Sequence, residues 1–183
     1  MRTVKFNKEL YRATKVAENS FSEVFKSMQL LHYTVMYEKF DLDKEGIQEF
    51  QKNLTDYNNE CLDNREAFLA EEEKLLTEYQ FSCEESARRF PTRAKMKMLG
   101  RRPKRMQDWD VALQNATDAI EVCLVLFLHE FVKVLQPSAE DIKVYWESMV
   151  ENADLYARGM TDDFVVKYFK NEIDLEITEK EDK

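Results

Sequence analysis

Glycine and proline are scarce, with three of each in 183 residues, against ordinary shares of about 7% and 5%. These are the residues that break or weaken helices, and no stretch alternates apolar and polar residues between turn signals. Strands are therefore not expected. Glycines 46, 100 and 159 stand singly, which excludes a glycine-rich loop cradling phosphate. Cys61, Cys83 and Cys123 are odd in number and lack CxxC or other metal-ligand spacing. Free thiols in a reducing cytosol are the simplest reading.

There are two histidines, His32 and His129, and neither adjoins a serine or cysteine motif of a nucleophilic enzyme. The His129-Glu130 pair begins like a zinc-protease motif, but the second histidine would fall at Lys133. A di-metal site built on Glu-x-x-His would need glutamates where Gln29 and Leu126 stand. No catalytic residue, no metal ligand and no cofactor is expected from these patterns. Long apolar runs are also missing. Val122 to Leu128 is a run of seven, far below the roughly 18 to 20 residues of a spanning helix. The opening MRTVKFNKEL has no apolar core of a secretory signal. A cytoplasmic protein with no membrane partner is the expectation.

What remains is helix. Asn7 is placed to cap a helix running to Phe40, in which Leu10, Ala17, Val24 and Leu31 repeat every seven residues beside Thr14, Phe21, Met28 and Val35. A capping box at Ser20 and Glu23 leaves open a break near Asn19. Asp41 or Asp43 caps a second helix from Lys44 to about Tyr79 or Phe81, with Ile47, Leu54, Cys61, Phe68 and Leu75 in register. The register changes at Asn64 and Glu71. From there Leu62, Leu69 and Leu76 form a stripe suited to a different partner. Ser82 with Glu85 opens a short helix stopped by Pro91, and Thr92 caps a further turn ending at Gly100. The helix at about 108–135 is apolar on nearly all sides along its Val122 to Leu128 run and must be surrounded by others. Ser138 with Asp141 begins the next helix, which Gly159 ends, and Thr161 caps the last.

The expected fold is all-α. Two long N-terminal helices form an antiparallel hairpin packed around the buried helix at about 108–135, with two C-terminal helices completing a bundle. Residues 1–175 make one domain and 176–183 an acidic, frayed tail. The heptad seams and the aromatics Tyr33, Tyr37, Tyr57 and Tyr79 exceed what one central helix covers, so a homodimer is among the expected partners.

Net charge is -9, but the charges are segregated. Residues 86–107 carry nine bases and no acid, whereas residues 41–85 hold fourteen acids against four bases. Segregation of this kind is about partners rather than fold. Glu71, Glu72 and Glu73 are read as a solvated face, and Met96, Met98 and Met106 as anchors of the connecting segment to the core. The candidate nucleic-acid-binding residues are Arg88, Arg89, Arg93, Lys95, Lys97, Arg101, Arg102, Lys104 and Arg105. Arginine forks and lysine point charges both suit phosphate. The competing reading docks this segment on an acidic face of the same chain or of a second copy.

A small acidic helical protein with a separate basic segment and no catalytic constellation resembles the accessory and inhibitor proteins of phages and mobile elements, including inhibitors of RNA-guided nucleases. The resemblance is one of composition. It implies a non-enzymatic regulator that binds a protein partner through helical contacts and RNA or DNA, direct or partner-bound, through residues 88–105. Two alternatives stand beside it. One is a nucleic-acid-binding accessory or transcription-regulatory protein, and the other a small hydrolase or nuclease using a carboxylate cluster and a divalent metal.

Overall fold

A computed structural model describes the backbone of residues 8–100 and 106–175, and the side chains of 20–59, 64–100 and 109–175. The described residues form helices only, eight of them, packed as a bundle. They are α1 (Lys8–Phe40), α2 (Lys44–Asp63), α3 (Arg65–Tyr79), α4 (Cys83–Arg89), α5 (Thr92–Met98), α6 (Met106–Leu135), α7 (Ala139–Arg158) and α8 (Asp162–Ile173).

The 30-residue α6 is the centre. Every residue from Cys123 to Leu128 is fully buried, and α1, α2, α3, α4 and α5 all pack against it. Its apolar circumference is thus explained by neighbours on several sides. The helix α1 also lies on α7 and α8. Its heptad residues Val24, Met28, Leu31 and Val35 are all buried, and Phe25 and Phe40 reach α6 through Phe127 and Phe131 at ring-centroid distances of 5.6 and 4.8 Å. Near their connection α1 and α2 run back along each other, His32 meeting Phe50 with centroids 4.5 Å apart.

Local chemistry sets the ends. The Asp43 carboxylate accepts from Gly46 N at 2.9 Å and so caps α2. The Ser82 hydroxyl accepts from Glu85 N, Ser138 and Asp141 close a reciprocal capping box, and Thr161 accepts from Phe164 N. Each satisfies amides that a helix start leaves unpaired.

Two expectations are corrected, and the alternative left open at Asn19 is decided in favour of one continuous helix. The helix expected from Lys44 to Tyr79 is two helices, because Asn64 leaves the helical conformation and its side-chain oxygen caps Glu66 N and Ala67 N. No break occurs near Asn19, where α1 is continuous. Thr92 does not cap α5. It is the first helical residue, after Pro91, which offers no side-chain cap. Cys83 and Cys123 are free and buried thiols; the side chain of Cys61 and the tail 176–183 lie outside the described residues.

Candidate functional site: the basic corner

The helices α4 and α5 form a corner that packs on α6, with α5 also against α7. Their inward sides are Cys83, Ala87, Phe90, Ala94 and Met98, all buried, and Met96 packs partly against the core. With α4 and α5 so seated, the nine candidate bases divide into three sets.

Lys95 is buried and Lys97 half-buried. Lys95 is 3% exposed. Its Nζ donates to the Arg88 carbonyl at 3.1 Å and to Thr117 Oγ1 at 3.0 Å, tying the end of α4 to α6. Burial lowers the pKa of this amine from its ordinary value, since charge loses hydration there. Lys97 donates to the carbonyls of Tyr156 and Met160, the second at 2.5 Å, and lies 4.3 Å from the Tyr156 ring centroid. A cation at the last carbonyls of α7 opposes the negative end of the helix dipole. Both amines are thus engaged by groups of the protein itself.

Arg88, Arg89 and Arg93 are exposed. Arg88 pairs with Glu84 and Arg89 with Glu85, each one helical turn back on α4. These are open pairs, with the arginine side chains 69% and 74% exposed, and such pairs hold their partners weakly. Arg93 has no ion-pair partner among the described residues. Arg101, Arg102, Lys104 and Arg105 lie outside the described residues, directly after Gly100, whose φ of +63° turns the chain at the end of α5.

A second polar cluster escaped the sequence reading. His129 on α6 lies flat against Tyr57 of α2, centroids 3.6 Å apart and planes 11° from parallel. Its Nδ1 approaches Glu71 Oε2 of α3 to 3.0 Å, although the N–H direction departs from that of a well-formed hydrogen bond. Its Nε2 lies 3.7 Å from Glu130 Oε1, and Lys133 Nζ is 3.4 Å from the same oxygen. Glu71 is therefore buried, not part of a solvated face, while Glu73 stays exposed. The hydrogen-bonding contact with His129 is the main cause holding the Glu71 carboxyl below its usual range; burial opposes it, and the charges of His129 and Lys74 add to it. The two carboxylates face opposite ring nitrogens, an arrangement that joins helices but does not converge on one point. Among the described residues no group of three or more histidine, cysteine or acidic side chains is placed to hold a metal ion.

The fold and this corner define an all-α helical bundle with a partly exposed arginine edge. Comparison with known proteins finds no matching family model, no matching curated protein and no matching solved structure. No helix among the described residues is long and apolar enough to cross a membrane.

Proposed function

We propose that the protein acts by binding, as a regulator or inhibitor that docks on a nucleic-acid-processing complex, such as an RNA-guided nuclease, and grips the nucleic acid with its basic corner. The observation carrying this reading is the exposure of Arg88, Arg89 and Arg93 on one corner whose lysines are turned inward as anchors. An anchored backbone carrying exposed guanidinium groups suits phosphate recognition, Arg93 having no ion-pair partner among the described residues and Arg88 and Arg89 lying in open pairs that hold them weakly. The sequence continues the charge with four more bases at 101–105.

Gel-shift titration against RNA and DNA at two salt concentrations tests it. Affinity should fall steeply with salt, and replacing Arg88, Arg89 and Arg93 by Glu should remove roughly 0.9 of logarithmic slope for each lost phosphate contact. Binding that keeps its slope after the triple replacement would place the anion elsewhere.

A further inference from the structure

The outer side of α3 carries two leucines one heptad apart. Leu69 and Leu76 are 48% and 53% exposed, whereas Glu71 and Leu75, on the opposite side, are buried. At 3.6 residues per turn, Glu72 flanks this ridge on one side, with Arg65 one turn before Leu69 on that same side, and Glu66 and Glu73 flank it on the other. The Glu72 flank continues onto neighbouring helices. Burial, then the like charges of Glu72, Glu84 and Asp118, raise the carboxyl pKa of Glu121 on α6, and Arg88 opposes the rise. Glu72, Glu84 and Glu121 thus stand on three helices packed on one another, α3, α4 and α6, with Glu84 paired to Arg88.

We propose that this face is a docking surface for a basic amphipathic helix of a partner protein. Apolar side chains a heptad apart on the partner cover Leu69 and Leu76, and its flanking lysines and arginines lie over Glu72 on one side and Glu66 and Glu73 on the other. Amphipathic helices are recognised through spaced apolar anchors, and complementary charge sets partner and register. The excess of Glu66, Glu72 and Glu73 over Arg65 on this face of α3 favours a cationic occupant over a neutral one. A second copy of the chain fits poorly, because a two-fold antiparallel pairing of α3 that sets Leu69 on Leu76 also brings Glu72 and Glu73 against their counterparts. Nucleic acid is repelled by the same carboxylates. None of these α3 residues belongs to the basic corner, so the surface stands or falls separately from it.

The test uses the full chain and a synthetic helical peptide of leucine and lysine, with leucines at heptad spacing, beside a scrambled peptide of the same composition. Calorimetric titration should give one saturable site for the patterned peptide, weakened about tenfold or more, or roughly 1.4 kcal/mol, by the double variant Leu69→Glu, Leu76→Glu. The double variant Glu72→Gln, Glu73→Gln should weaken binding and flatten its salt dependence, while Arg93→Glu leaves it unchanged. Both leucines are exposed, and a thermal melt of each variant confirms that it folds. Equal binding of the scrambled peptide, or indifference to the leucine replacements, overturns the proposal. So does light scattering that shows a dimer dissolved by those replacements, which would make a second copy the occupant, or loss of RNA or DNA binding in the leucine variant.

Discussion

The imidazole of His32 shares its one hydrogen bond with the hydroxyl of Tyr145, Nδ1 to Oη at 2.8 Å, while its ring packs on Phe127 with centroids 4.8 Å apart. The residue is fully buried, and burial pushes its pKa down to about 3. It is neutral in the folded protein at neutral pH.

Acid sensitivity should follow in two windows. The unfolded chain binds a proton at His32 near pH 6.5, and the folded chain only near 3, so below pH 6.5 the unfolded state holds more protons. Stability present above that point is lost as pH falls. Glu71 has a lowered folded pKa too, so its contribution is present above the unfolded carboxylate value of about 4.3 and is lost only below it. Urea midpoints measured from pH 8 to 3 should fall from about 6.5 downward and more steeply below about 4.3. His32→Phe should flatten the first window, and Glu71→Gln the second. A His32→Phe variant with the same pH profile as the parent would show that His32 does not cause the first.

Leu124→Ala should lower stability by roughly 2 to 5 kcal/mol, because the residue is fully buried in the most enclosed helix and the cavity collapses only in part. Equilibrium unfolding in urea measures this directly. A loss below about 0.5 kcal/mol, the size of ordinary surface effects, would contradict the central place of α6.

Lys95 and Arg93 are two residues apart and should behave as opposites. Lys95→Ala leaves the Arg88 carbonyl and Thr117 hydroxyl without their donor, and a loss of about 1 to 3 kcal/mol is expected for partners left unsatisfied. Arg93→Ala removes an exposed side chain and should stay within about 0.5 kcal/mol. Denaturation midpoints of the two variants compare them. If both were silent, Lys95 would not be an anchor.

The helices were largely legible because each buries a face at helical spacing and several start at a capping side chain. The 108–135 centre, the Ser138 box and the Thr161 cap follow from residues adjacent in sequence. The division at Asn64 was visible only as a change of register, since an asparagine within a continuing stripe does not say whether it bends a helix or starts one. The inward lysines were not legible at all. Lys95 meets Thr117, and Lys97 meets the end of α7 at Tyr156 and Met160. Before the chain is folded, nothing distinguishes them from the arginines beside them. Glu71 is a similar case, its partner His129 lying on another helix.

The glutamates of α4 supply the sharpest prediction about the basic corner. Glu84 and Glu85 pair with Arg88 and Arg89 and compete with any incoming phosphate for those guanidinium groups. Exposed pairs of this kind contribute on the order of 0.5 kcal/mol or less to stability, so the double variant Glu84→Gln, Glu85→Gln should melt close to the parent. Its affinity for RNA or DNA should nevertheless rise severalfold at low salt, because two negative charges leave the binding surface and two arginine forks are released to phosphate. The gain should shrink as salt is added, and it should vanish when Arg88 and Arg89 are replaced in the same chain. Paired gel-shift titrations of the parent, the glutamine variant and the combined variant read all three outcomes. An unchanged affinity in the glutamine variant would mean that Arg88 and Arg89 do not face the nucleic acid, leaving Arg93 and the bases at 101–105 to carry any binding.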